Sequence, residues 1–392
     1  MSHIPGRFVE LHVLQSVPYA NLNRDDTNSV KLVEYGGVSR TRVSSQSWKR
    51  AARLRLQQRI GQRSLRTRRL PELIERHLVE ERQWPLAAAA RAGRHVMAGS
   101  GVGVTAPKKE PERNPWTSAA MVYVPDTAVA ELADIAEEFR SAIEAAKDTK
   151  DIKAKDALVP GDRVDAVLRS RNGIVNLFGR MLAQVDNAKV DGAVQVAHAF
   201  TTHRTDVEID YFSAVDDVTH GWEDTTGSAH MGHAEHSAGT FYRYIVLDLD
   251  DLLHNIGGDL TAARELAEAF LDAALLSLPQ AKKNSTAPHT IPDLAHITVR
   301  GDRPVSYAGA FETPVRPDAK SGGHLGPSIA ELTRYASAVE RLLGKGDQRY
   351  CGYAAVGAEE LNALGKRVDS FGTLVREAVT AALGTVSRDI AA

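Results

Sequence analysis

Two stretches with a period of two, lying far apart in the chain, constrain its fold most. In FVELHVL, residues 8–14, Val9, Leu11 and Val13 fall on one face and Glu10 and His12 on the other, which predicts a half-buried strand. In TFYRYIVLDLDDL, residues 240–252, Tyr242, Tyr244 and Val246 alternate with Ile245, Leu247 and Leu249, a second strand. Between them the apolar period is mostly helical. TAVAELADIAEEFRSAIEAAK, residues 127–147, is the clearest case, with Val129, Leu132, Ile135, Ala136, Phe139 and Ile143 near helical spacing. Further on come an amphipathic helix over DLTAARELAEAFLDAALLSL, a strand over LAHITVRG and closing helices that include IAELTRYASAVERLLG. QSVPYANLNRDDTNSV and GSGVGVTAPKKEPERNPW read as loops, and YGGVSRTRVS as a hairpin arm entered through a Gly-Gly turn. Strands from both ends around a helical insertion define an α+β fold.

Charge narrows the function. The 392 residues carry a net charge of -2, so bulk charge does not mark a nucleic-acid binder and only its distribution could. The single cysteine, Cys351, excludes an internal disulfide framework and fits a reducing cytoplasm, where the chain is expected. The N-terminus has no long apolar core of a secretory signal, and charges break the apolar runs short of a membrane span. No Gly-rich phosphate loop, nucleophile elbow or Cys/His zinc array is present.

The positive charge is concentrated. Residues 40–70 hold eleven Lys and Arg and no carboxylate, the nearest acids being Glu34 and Glu72. A helix is expected from Ser45 or Ser47, with serine as its N-cap and WKRAARLRLQQRI as its body. Lys49 and Arg53 then lie one turn apart with Arg50 beside them. They sit near the positive end of the helix, close to the serine hydroxyls and the Gln46 amide, while Trp48, Ala51, Ala52 and Leu56 cover the other arc. Such an array can hold phosphate without requiring a particular base. A solvated cationic face is the alternative reading. Between Arg204 and Arg243 the pattern reverses, with eight carboxylates and no Lys or Arg. That segment could meet the basic surface of a neighbouring copy, giving head-to-tail filaments, or simply be paired internally or solvated.

Several blocks in one order resemble a known family: LHVLQSVPYANLNRDD, YGG, RVSSQSWKRA, LFGRMLA, VDGAVQVAHAFTTH, DYFSAVDD, HMG and GTFYRYIVLDL. They are similar to the CasC family, the repeating backbone subunit of the type I-E CRISPR surveillance complex, Cascade. The resemblance implies an RRM-like (ferredoxin-like) palm sheet, an inserted helical fingers domain and a protruding β-hairpin thumb. It assigns residues 1–59 and 241–392 to the palm, 60–190 to the fingers and 191–240 to the web and thumb. It further implies stacking of copies along a CRISPR RNA, whose exposed bases pair with target DNA. The expected partners are the large, small, 5′-handle-capping and RNA-processing subunits, and a recruited helicase-nuclease. No cofactor is expected.

Carried over by position, Arg24, Lys31, Arg42, Ser44, Gln46, Lys49, Arg50, Arg53 and His203 resemble RNA contacts. A subunit repeated along guides of every sequence must grip phosphate and sugar and leave base edges free. Met181 resembles an apolar wedge at an RNA kink, although Leu177, Phe178 and Leu182 beside it would equally suit a core position. Phe212, with Tyr211, is a stacking or hairpin-packing candidate. His230, His233 and His236 match no standard zinc spacing, so no metal is expected. The rival function is a metal-dependent ribonuclease acting on target RNA, with Asp25 and Asp26 holding Mg²⁺.

Overall fold

The computed structural model describes residues 5–107, 116–149, 152–215, 228–344, 346–357 and 359–384. Strands β1 (Phe8–Ala20), β2 (Leu32–Tyr35) and β3 (Val38–Val43) precede helix α1 (Ser45–Ile60). There follow β4 (Ser64–Thr67), α2 (Leu70–Arg82), α3 (Leu86–Gly99), β5 (Val104–Thr105), β6 (Thr117–Ser118), β7 (Val122–Pro125), α4 (Ala128–Glu138), α5 (Arg140–Ala145), α6 (Gly161–Leu168) and α7 (Gly173–Phe178). Next come β8 (Val194–Val196), β9 (Ala199–Thr201), β10 (Glu208–Val215), β11 (Ser228–Asp248), α8 (Leu249–Asn255), α9 (Leu260–Leu276) and α10 (Lys283–Thr286). The chain closes with β12 (Leu294–Arg300), α11 (Leu325–Leu343), β13 (Gln348–Ala355), β14 (Lys366–Arg367) and α12 (Phe371–Leu383). Two compact units result. One comprises Met1–Leu56, Val194–Leu253 and Gly257–Ala392, and the other Gln57–Ala193 with His254–Ile256.

The first unit is built on a sheet of order β14-β13-β12-β1-β11-β9-β3-β2, with β8 and β10 also pairing β11. The two strands marked by the sequence are neighbours, antiparallel from Phe8↔Asp248 to Val17↔Gly239. The β1 strand is longer than its local pattern. QSVPYA continues it, because Val17 and Ala20 are buried against Val43, Trp48 and Phe241. Pairing slips between Val17 and Ala20, where Pro18 has no N–H to donate.

The expected half-burial of β1 is corrected as well. Glu10 and His12 are as buried as Val9 and Leu11. Helices α9 and α12 pack with each other, and α12 lies on β1, β12 and β13. On the opposite face, Tyr307, Phe311 and Leu332 cover Leu14, Tyr242 and Leu294. A polar network fills that side. The Glu10 carboxylate accepts from Tyr244 Oη (2.9 Å), Val305 N (2.6 Å) and Thr298 Oγ1 (3.3 Å), and lies 3.0 Å from Arg300 Nε. His12 Nδ1 shares a hydrogen bond with Tyr242 Oη at 2.9 Å, and its ring stacks on Tyr307 at 4.0 Å.

Buried histidines give this unit a pH dependence. Burial holds His296 and His203 at about 4 and pushes His12 well below the ordinary imidazole range. The unfolded chain takes up protons near pH 6.5, whereas the fold resists them. Stability is therefore full above that value and is lost as pH falls toward 4, by about 1.4 kcal/mol per pH unit for each histidine. Denaturant titrations at pH 7, 6 and 5 should show this decline, and His296→Gln should reduce its slope by one histidine's share.

The second unit packs α2, α3, α4 and α6 around Leu70, Ile74, Val96, Leu132, Ile135 and Leu168. Helical periodicity predicted this region, with two corrections. The helix expected over 127–147 breaks at Phe139 (φ −107°, ψ 17°), whose ring packs against the core. Short antiparallel pairs, β4 with β7 and β5 with β6, interrupt the helices. In the first unit β13 stands where only helices were expected. Its pairing with β12 makes it a strand despite its mixed composition.

Candidate nucleic-acid interface

Helix α1 begins at Ser45, one of the two expected starts, and its cap is Ser44. The Ser44 Oγ accepts from Ser47 N at 3.3 Å, and its N–H donates to Asn23 Oδ1 at 2.8 Å. Ser44 is 7% exposed, and its hydroxyl serves the helix end. Trp48, Ala52 and Leu56 are buried as expected, and Ala51 half so. The Arg243 guanidinium lies 3.8 Å from the centre of the Trp48 ring and donates to Gln15 Oε1 at 2.8 Å, locking α1 to the sheet. Gln46 and Arg50 are exposed; Lys49 and Arg53 are half-buried. Burial lowers the Lys49 pKa, as befits an ammonium that would gain from an anionic neighbour.

The loop over residues 21–31 and the β2–β3 hairpin are tied to this helix start. Gly36 and Gly37 (φ 63° and 72°) form the hairpin turn, which requires left-handed backbone at both positions. Arg42 N donates to Lys31 O at 2.8 Å, and Arg24 pairs with Val30 in an isolated bridge. The Arg24 guanidinium donates to Asn28 Oδ1 at 2.9 Å. His198, not anticipated from the sequence, joins the pieces. Its Nδ1 lies 3.1 Å from Ser45 N and 3.2 Å from Arg42 Nη1, so it accepts from both. Burial, with Arg42 and Lys31 nearby, lowers its pKa and keeps the ring neutral for that role. The only local signal was its place in the VAHAF block.

An open groove of about 590 Å³ follows, lined by Lys31, Arg42, Asp25, Ser29, Val207, Ile209 and Glu235 among others. Its two carboxylates are engaged in shaping it. Glu235 accepts from Ser29 Oγ (3.1 Å) and Val30 N (2.9 Å), tying β11 to the loop. Asp25 Oδ1 accepts from Thr27 N (2.9 Å), Thr27 Oγ1 (2.8 Å) and Ser29 N (2.9 Å), and the Thr27 hydroxyl leads in lowering its pKa. The cations Lys31 and Arg42 are left facing the groove. Among the described residues, no three His, Cys, Asp or Glu side chains cluster to hold a metal ion.

Beside the groove, β10 and β11 form a hairpin whose apolar side chains point into solvent. Tyr211 and Met231 are each 75% exposed, and Ile209 and Phe212 about half. Phe212 pairs with Gly232, over which its ring lies. His233 and His236 are three apart in one strand and so face opposite sides. His233 is exposed, while His236 is buried and stacks on Tyr19 at 4.4 Å. The side chain of His230, and four members of the acidic run, Asp216, Asp217, Glu223 and Asp224, lie outside what the structure describes. Of the remaining acids, Asp206 pairs with Arg204 at 3.1 Å.

His203 is buried. It is 6% exposed and stacks on His324 at 3.6 Å; Nδ1 bonds Arg204 O at 2.7 Å and Nε2 accepts from Thr240 N at 3.1 Å. Both ring nitrogens are thus engaged within the protein. Met181 takes the other course. In the second unit it is 88% exposed, while its neighbours Arg180 and Leu182 are 3% and 2% exposed. The core alternative does not hold for it.

A mixed sheet thus carries a groove bordered by Lys31 and Arg42 and, beside it, a hairpin with exposed apolar side chains. Residues 9–377 match the family described as CT1975-like protein, to which the chain belongs. The CasC resemblance in its motifs therefore holds. A solved chain titled "CRISPR RNA-guided surveillance complex, pre-nicking" superposes with a TM-score of 0.87 at 45% identity, covering 96% of this chain and 100% of that one. Another, titled "CRISPR RNA-guided surveillance complex", gives 0.77 at 39% identity with the same coverages. No individually curated protein matches the sequence. No helix among the described residues is long and apolar enough to cross a membrane.

Proposed function

We infer that this chain is a non-catalytic, RNA-binding backbone subunit of a type I-E CRISPR surveillance complex. Copies assemble head to tail along the CRISPR RNA and present it for pairing with target DNA. The first unit serves as the RRM-like palm, the second as the fingers, and the β10–β11 hairpin as the thumb. The observation that carries this reading is the knot of Arg42, His198 and Ser45 at the start of α1, which holds the Arg42 guanidinium beside an open groove that Lys31 also lines. Cations presented this way hold phosphate and read no base edge. Arg24, Gln46, Lys49, Arg50 and Arg53 extend the contact, Phe212 and Tyr211 supply stacking surface, and Met181 is the wedge.

Coexpression with a CRISPR transcript and the partner subunits tests the proposal. A guide RNA should co-purify, and native mass should collapse toward single subunits after ribonuclease treatment. An assembly of unchanged mass without RNA would leave a self-associating structural protein instead. The ribonuclease alternative requires Asp25 to bind metal, yet Asp25 Oδ1 already accepts three hydrogen bonds. The assembled complex incubated with Mg²⁺ and complementary RNA should leave that RNA intact. Periodic cuts abolished by Asp25→Ala or Asp26→Ala would reverse the assignment.

A further inference from the structure

Residues 181–189 form a loop closed at its base by the Arg180–Val190 bridge, with each N–H donating to the other's carbonyl at 2.8 Å. Below the bridge the two chain segments touch backbone to backbone. A Cβ at Gly179 (φ +76°) would lie 2.8 Å from the Gly192 nitrogen, and one at Gly192 would lie 2.9 Å from the Phe178 carbonyl. Only glycine permits that approach. Asn255 Nδ2 staples both sides, donating to Asn176 O at 2.9 Å and Asp191 O at 2.7 Å.

The Arg180 side chain completes the clamp. Its Nε donates to Ala188 O (2.7 Å), Nη1 to Ser170 O (2.8 Å) and Tyr123 O (3.4 Å), and Nη2 to Arg169 O (2.9 Å). These carbonyls belong to the loop itself, the end of α6 and β7. Burial pushes the pKa down to about 10, so the guanidinium stays charged at neutral pH. A planar fork of five donors reaches four carbonyls from three segments at once, whereas a lysine ammonium has three donors on a single atom. A thioether on a freely moving loop would lose much of any contact energy to ordering, whereas on a clamped loop little ordering remains.

We propose that Arg180 is the positioning residue of Met181: its buried guanidinium clamps the 181–189 loop so that the Met181 side chain projects as a fixed apolar prong against the bases of bound RNA. This rests on the reading of Met181 as an RNA wedge, and the test separates the two. The assembled complex is purified with Arg180→Met, Arg180→Lys and Met181→Ala. Its guide RNA is footprinted with dimethyl sulfate and kethoxal, and amide exchange over residues 176–192 is measured on the isolated full-length chain. The expected result for Arg180→Met is exchange at Arg180 and Val190 faster by about tenfold or more, since a local opening now precedes it. Periodic hyper-reactive bases should weaken about as much as in Met181→Ala, with RNA still retained. Arg180→Lys should fall between. Unchanged exchange in Arg180→Met overturns the clamp. A loosened loop with the wild-type footprint, where Met181→Ala loses it, overturns the positioning role. A footprint unmoved by Met181→Ala overturns the wedge reading and the proposal with it.

Discussion

Reversing Lys31 and Arg50 together to glutamate is expected to lower RNA retention by about a hundredfold at physiological salt. Each charge-assisted bond to phosphate is worth about 1.5–3 kcal/mol, and two lost bonds come to roughly 3 kcal/mol or more. The salt dependence supplies an independent signature. Each phosphate contact on a single strand contributes a slope of about 0.7 in log affinity against log salt, so the variant's slope should be shallower by about 1.4. These residues are chosen on structural grounds. Arg50 is exposed and Lys31, itself half-buried, opens onto the groove, whereas burial already lowers the Lys49 pKa and its reversal would confound folding with binding. Thermal unfolding of the isolated variant should stay within about 0.5 kcal/mol of wild type, as for surface substitutions in general. Wild-type retention with an unaltered slope would show that these cations are only a solvated face.

Glu10→Ala is expected to destabilise the first unit by about 3–5 kcal/mol. It removes the acceptor for Tyr244, Thr298 and Val305 and strands Arg300, itself 4% exposed, with Tyr307 Oη at 3.3 Å as its remaining hydrogen-bond partner described. Replacing both members of the pair, Glu10→Leu with Arg300→Met, should recover most of that loss, because no charge is then left buried without a counter-ion. Urea denaturation of the single and double variants measures the difference. A single variant as stable as wild type would mean that water reaches Arg300 and that the sheet face is less closed than its burial indicates.

The same residue marks the limit of sequence reading. The alternation in FVELHVL correctly marked a strand, and it placed Glu10 and His12 together on one face. Their burial could not be read locally, since it depends on Tyr307 and Phe311, which lie some three hundred residues along the chain. The Gly-Gly turn, α1 and β12 were legible because their signals are local: left-handed backbone, helical period, a β-branched run. The tail of β1 and the whole of β13 were not, because pairing and burial override their polar or mixed composition. Within the candidate site, the basic residues around Ser44 were visible from charge alone. Which of them face outward was not.

Local pattern specified an α+β chain with its cations gathered at one helix start, and the motif order placed it in its family. How those residues are used emerged only on folding. Folding turned Ser44 into a cap and His203 into a buried support, brought in His198 to hold Arg42, and left Met181 projecting beside a buried arginine. Charge and periodicity are properties of neighbouring residues, whereas exposure and hydrogen-bond partners are set by segments that meet only when the sheet closes.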